Sequence, residues 1–130
     1  DNGWHKSLSK ILAYLEEYPS LQANIEKPDN LEDYIDNDKG YTLYNILHVL
    51  IDNVIQHSEA KSVAFKMNIN DNQLNASITD DGKGFDHSIE KEGIGLRSVR
   101  ERINKLKGKI SFRSAENQGT DISLSIPLII

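Results

Sequence analysis

"KSVAFKMNINDNQLNASITDDGKGF", Lys61–Phe85, holds two alternating runs followed by a turn-rich end. Val63, Phe65, Met67 and Ile69 take every second place, and Leu74, Ala76 and Ile78 do so again after "NDNQ". Alternation of period two puts one set of side chains on one face of a strand, so two such runs around an Asn/Asp cluster predict a β-hairpin. The second run leads into "ITDDGKGF", Ile78–Phe85. By itself that end reads as a turn, because glycine reaches positive φ without steric cost and aspartate tolerates the left-handed region. Whether its acids also hold something depends on what the rest of the chain brings to them.

Upstream, Tyr41–His57 carries Leu43, Ile46, Leu47, Leu50, Ile51 and Val54 as one broad apolar stripe, the signature of an amphipathic helix. Trp4, Leu8, Ile11, Leu12 and Leu15 mark an earlier helix that Pro19 ends, and "LQANIE" alternates as a short strand. "KPDNLEDYIDNDKG" is polar and reads as a loop. Downstream, Leu96, Val99, Ile103 and Leu106 predict a further helix capped by Gly108. Ile110/Phe112 and Ile122/Leu124/Ile126 form a second alternating pair around "SAENQGT". The order helix, strand, helix, hairpin, helix, hairpin predicts an α/β fold: a two-layer α/β sandwich with one mixed, mostly antiparallel sheet and helices on one face.

The 130 residues make one domain with a real core. The chain starts at Asp1 rather than Met, which predicts a piece of something longer. Residues 1–18 are read as a helix leading into the domain, the tail of an upstream linker, and 19–130 as the domain proper. The absence of cysteine excludes disulfides, thiolate zinc sites and cysteine nucleophiles. A net charge of −5 argues against non-specific nucleic-acid binding, which needs a positive footprint. No apolar run is long enough to span a bilayer, and "DNGWHKSLSK" is too polar for a secretory signal.

Opposite its apolar stripe, the Tyr41–His57 helix carries Asn45, His48, Asp52, Asn53, Gln56 and His57, with Val49 in their midst. A solvated face usually prefers Lys and Glu, and an exposed helix gains little from valine. Both facts predict a partly buried cleft, against the plainer reading of a solvent-facing surface. His48 with Asp52, or Asn53 with His57, has helical one-turn spacing, but two weak donors do not make a metal site. His5 reads as a surface residue. "GIGL" at Gly93–Leu96 opens the third helix, where backbone N–H groups and the helix dipole favour an anion. The dinucleotide fingerprint fails there, since Ser98 stands at the third glycine, and the P-loop pattern is absent. "DDGKG" misses the calcium-loop spacing.

An Asn on a helix, Asp-x-Gly-x-Gly after a strand, Gly-x-Gly at a helix start and Gly-Thr in the last hairpin are each weak signals. In this order the chain resembles the ATP-binding catalytic domain of bacterial sensor histidine kinases, in the superfamily shared with gyrase-type and MutL-type ATPases (GHKL). "LIDNVIQHS" matches the N box, "DDGKGF" the first glycine box, "GIGLRSVRERI" the second and Gly119–Thr120 the final glycine motif. The "RSVRERI" continuation and the short "DHSIEKE" look like the subfamily of nitrate and membrane-fluidity sensors.

The resemblance implies ATP and Mg²⁺ as cofactors. It implies that Asp80 accepts a hydrogen bond from the adenine amino group, and that Gly82 and Gly84 let the backbone close over the nucleotide. Thr120 would lie near the adenine end. Asn53 would ligate Mg²⁺, with His57 also in the nucleotide site. Gly93, Gly95, Leu96 and Arg97 would sit at the phosphates, and Asp86–Glu92 would form a mobile lid. No catalytic residue is assigned. The implied function is donation of the γ-phosphoryl group to a histidine on a separate dimerisation domain, in two-component signalling. The implied partners are that phosphoacceptor domain and a response regulator, with no nucleic acid. The full-length protein is expected as a homodimer and the fragment as a monomer, in the cytoplasmic part of a membrane-anchored sensor. An anti-sigma-factor-type serine kinase and a degenerate nucleotide-binding or docking module are the alternatives. Val49 stands where the family usually has Glu, and Gln56 where the subfamily usually has Lys. Valine neither polarises water nor supports a metal, so hydrolysis by the domain is expected to be slow.

Overall fold

A computed structural model describes residues 3–57, 59–84, 94–114 and 116–128. The order of elements is α1 (Trp4–Glu17), β1 (Gln22–Glu26), a 3₁₀ turn (Leu31–Asp33), α2 (Asn37–His57), β2 (Ser62–Asn70), β3 (Gln73–Asp80), α3 (Ile94–Lys105), β4 (Lys109–Ser114) and β5 (Thr120–Pro127). The strands form a five-stranded sheet in the order β1-β2-β3-β5-β4. β1 runs parallel to β2, and the other pairs are antiparallel. The expected mixed sheet with helices on one face is what the chain forms.

α1 forms because Trp4, Leu8, Leu12 and Leu15 recur at helical spacing and are all buried. It stops at Tyr18, extended at φ −66 and ψ 127, because the following Pro19 excludes helical backbone there. α1 packs on α2 and β1, α2 crosses the middle of the sheet, and α3 covers β4. Between these helices and the sheet lies a single core that includes Trp4, Leu47, Ile51, Phe65, Leu74, Val99 and Ile103. Trp4 is wholly buried, and Gly40 makes room for it: a Cβ at position 40 would lie 2.2 Å from the indole Nε1.

Two details differ from the sequence reading. The stretch expected as loop up to Gly40 ends inside α2, which starts at Asn37. Asp36 is the reason: its side chain accepts the Lys39 N–H at 2.9 Å and its carbonyl accepts the Gly40 N–H at 2.8 Å. At the end of α3 the left-handed residue is Lys107 (φ 59), and Gly108 follows it, donating its N–H to Ile103 O at 2.9 Å. The expected glycine cap is thus displaced by one residue.

Candidate functional site

The site grows from the end of β3, the central strand. Asp80 is the last residue of β3 and pairs with Thr120, the first of β5. Among the described residues these two stand out as buried polar side chains, each 7% exposed. The Gly82 N–H donates to Asp80 Oδ1 at 2.8 Å, and the backbone N–H of Thr120 also reaches the carboxylate. Burial pushes the Asp80 carboxyl above its ordinary value, opposed by the Gly82 N–H, with the neighbouring Asp81 charge adding to the rise. Asp80 is therefore a carboxylate held in a dry place by backbone donors, with acceptor capacity left over.

The last hairpin closes against it. Gly119 sits at φ +77, and a Cβ there would lie 2.2 Å from Asp80 O, so the backbones of β3 and β5 touch with no room for a side chain. Ser114 Oγ donates to Gly119 O at 3.0 Å and lies 3.1 Å from Thr120 Oγ1. The Asn117 N–H donates to Lys83 O at 2.6 Å, which stitches the β4–β5 loop to the turn that carries Gly82 and Gly84.

The helical end of the site lies where α3 starts. Asn53 and Val49, one turn apart on α2, are both half-buried. A Cβ at Gly95 would lie 3.2 Å from Val49 Cγ1, so the first turn of α3 is seated on this face of α2. Leu96, next in the chain, is buried and Arg97 is exposed. His57 is the last residue of α2. Gly93 and the expected lid, Asp86–Glu92, lie outside the described residues.

The structure thus brings Asp80, Gly82 and Thr120 together at one place, and Val49 and Gly95 together at another. It does not gather the whole polar arc of α2. Asn45, His48, Asp52 and Gln56 are exposed. His48 stacks on Tyr44 with ring centroids 5.7 Å apart, and with Asp52 it lines a groove of about 300 Å³ against Ser7, Lys10, Ile11 and Tyr14 of α1. The cleft expected from that arc is reduced to the strip around Val49 and Asn53.

Val49 is accordingly a packing residue for α3, a role that sequence spacing did not reveal. Val49→Glu is expected to lower stability by roughly 1–3 kcal/mol, because a carboxylate replaces a methyl group against backbone and core. Urea unfolding checks this, and an unchanged midpoint would show that α3 does not rest on Val49.

A buried acceptor beside close-packed backbone suits a base edge. Among the described residues no group of three or more His, Asp or Glu could hold a metal ion. Asn53 alone suits an ion that takes its remaining ligands from phosphate oxygens and water, the usual habit of Mg²⁺.

The family described as histidine kinase-, DNA gyrase B- and HSP90-like ATPase matches residues 38–130. The chain belongs to that family, as an ATPase domain of the kind found in sensor histidine kinases. It is 30% identical to the signal transduction histidine-protein kinase/phosphatase DegS of Brevibacillus brevis, over 98% of this chain and 33% of that protein. It is 29% identical to the sensor histidine kinase YxjM of Bacillus subtilis, over 95% of this chain and 30% of that protein. The chain therefore spans about a third of the length of these relatives. The fold matches the histidine kinase domain of the blue-light activated kinase of Erythrobacter litoralis EL346 with a TM-score of 0.77, at 19% identity over 96% of this chain and 59% of that one. It also matches the Acinetobacter baumannii histidine kinase AdeS with a TM-score of 0.72, at 19% identity over 98% of this chain and 64% of that one.

Proposed function

We propose that this domain binds Mg·ATP and donates the γ-phosphoryl group to a histidine on a separate dimerisation helix pair, within a sensor kinase that signals to a response regulator. The observation that carries the reading is the buried Asp80 carboxylate, fixed by Gly82 and Thr120 at the end of the central strand. Asp80 accepts the adenine amino group, Gly82 and Gly84 line the base, and Thr120 closes that end. Asn53 would hold Mg²⁺, His57 would belong to the same nucleotide site, and Gly93, Gly95, the Leu96 amide and Arg97 would meet the phosphates. Bound Mg²⁺ would supply charge neutralisation across the phosphate oxygens, which is most of what phosphoryl transfer requires. The protein's own part is to orient the chain of phosphates and exclude water at the base.

In this reading residues 19–130 form the catalytic unit. Residues 1–18 lead into it, and their helix α1 (Trp4–Glu17) is anchored through Trp4, Leu8, Leu12 and Leu15. Among the described residues no helix is long and apolar enough to cross a membrane. The domain would lie on the cytoplasmic side of a membrane-anchored, homodimeric sensor.

With no carboxylate at position 49 the isolated domain hydrolyses ATP very slowly, while transfer to histidine survives because the acceptor is itself a nucleophile. Incubation with labelled ATP and a supplied phosphoacceptor helix pair tests the proposal. Acid-labile label on the acceptor is expected, and an unlabelled acceptor in the presence of bound ATP would overturn it.

Asn53 is expected to act through the metal. Asn53→Ala weakens ATP binding in Mg²⁺ by roughly tenfold or more and changes it little in EDTA. Equal losses in both conditions would assign Asn53 to packing instead.

A further inference from the structure

We propose that Asp81 is a positioning residue for base recognition, holding the chain that leaves α2 against the turn that carries Asp80. This rests on the nucleotide-binding reading above and adds to it a residue that touches no part of the nucleotide. Asp81 Oδ1 accepts the backbone N–H groups of Lys61 at 2.8 Å and Ser62 at 2.9 Å, and Oδ2 accepts the Ser62 hydroxyl at 3.0 Å. The Asp81 N–H returns a bond to Ser62 O at 3.3 Å, and Lys61 O in turn accepts the Gln22 N–H of β1 at 2.9 Å. One carboxylate thus joins the end of β3 to the start of β2, which β1 pairs in parallel.

The connection matters because of what lies on either side of it. Lys61 follows the end of α2, the helix that carries Asn53, by only a few residues. Asp81 precedes Gly82, whose N–H orients Asp80. The clasp therefore fixes the span between the base-reading carboxylate and the helix that faces the phosphates. Its bonds favour the ionised carboxylate and hold Asp81 below its ordinary value, while Asp80 next to it is raised. Two adjacent acids are thus divided in role, one buried and free to read a base, the other exposed and committed to backbone.

The chemistry of the clasp makes a sharp test available. An asparagine at position 81 keeps an Oδ1 for both amides, and its NH₂ can donate to Ser62 Oγ, which reverses the hydroxyl's part. Alanine keeps none of these bonds. Mg·ATP and Mg·GTP are titrated into the wild type, Asp81→Ala and Asp81→Asn, with melting temperatures taken in parallel. Asp81→Ala is expected to lose about tenfold in ATP affinity and a similar factor in the ATP-over-GTP ratio. Asp81→Asn stays within about twofold of the wild type in both.

An Asp81→Ala protein with a lowered melting temperature but the wild-type ratio would overturn the proposal, since Asp81 would then serve stability alone. Loss in Asp81→Asn equal to that in Asp81→Ala would overturn it as well. Should Asp81→Ala fail to fold, Ser62→Ala removes the Oδ2 bond alone. A fall of about twofold in its ratio supports the clasp, and an unchanged ratio overturns it. A wild type that binds ATP no better than GTP would instead overturn the adenine reading itself.

Discussion

Asp80→Asn is expected to weaken Mg·ATP binding by roughly 5- to 150-fold while leaving the nucleotide-free fold at least as stable at neutral pH. The loss in binding follows from removing a buried, charged acceptor from a base-reading site, which is worth about 1–3 kcal/mol. The gain in stability follows from the direction of the Asp80 shift. Its carboxyl is raised in the folded state, chiefly by burial. A raised carboxyl contributes stability that is fully present below its unfolded value and lost as pH rises through the folded one. At neutral pH the ionised Asp80 therefore weighs against folding, and a neutral amide that still accepts the Gly82 and Thr120 N–H groups does not. The difference in melting temperature between variant and wild type is expected to shrink toward about pH 4 and vanish below it. Calorimetry across pH, paired with ATP titration, checks both halves. Unchanged ATP affinity would remove Asp80 from the site, and a variant that is less stable at neutral pH would contradict the account of its burial.

Gly119→Ala is expected to destabilise the domain by about 3 kcal/mol or more, lowering the melting temperature by roughly 10 °C. Two effects add. Position 119 has φ +77, which a side chain rarely adopts, and its Cβ would stand 2.2 Å from Asp80 O. That oxygen belongs to backbone at the end of the central strand, so it cannot swing aside as the tip of a side chain can. Relief requires the β4–β5 loop to lift from β3, which also breaks the Asn117 to Lys83 bond and the Ser114 to Gly119 bond. Nucleotide binding by the folded fraction is then expected to fall as well, because Thr120 moves with Gly119. Thermal unfolding with and without Mg·ATP measures both. A variant that melts like the wild type would show that the β3–β5 approach is looser than described.

How much of this was legible from the residues depends on whether the controlling contact is local. The hairpin Ser62–Asp80 was legible because alternation records burial directly: Val63, Phe65, Met67, Leu74, Ala76 and Ile78 are all buried. α2 was legible in its stripe but not in its start. "DNDK" has the composition of a turn, and only the capping geometry at Asp36 converts it to helix. The contact of Trp4 with Gly40 left no local signal, because a glycine conserves no trace in sequence of the ring that needs its space.

The site divides in the same way. Asp80 before Gly-x-Gly was recognisable as a pattern, and it lies buried at the end of a central strand. By spacing alone the polar arc of α2 reads as one cleft, yet His48 and Asp52 line a groove against α1 instead. Val49 looked like a defect in the arc. In the fold it is where the start of α3 rests, and Gly95 opposite it gives the clearance. The role of Asp81 leaves no signal in "TDD", because its partners Lys61 and Ser62 stand 20 and 19 residues earlier in the chain, at the start of the hairpin. Sequence proximity put the two acids side by side, and tertiary structure separated them.

Titration calorimetry of the wild-type domain with ATP and GTP, each in Mg²⁺ and in EDTA, tests the central claim most directly. Saturable one-to-one binding of Mg·ATP is expected, with weaker binding of Mg·GTP by roughly tenfold or more and a clear loss of ATP affinity in EDTA. Absence of ATP binding, or equal affinity for ATP and GTP, would contradict it.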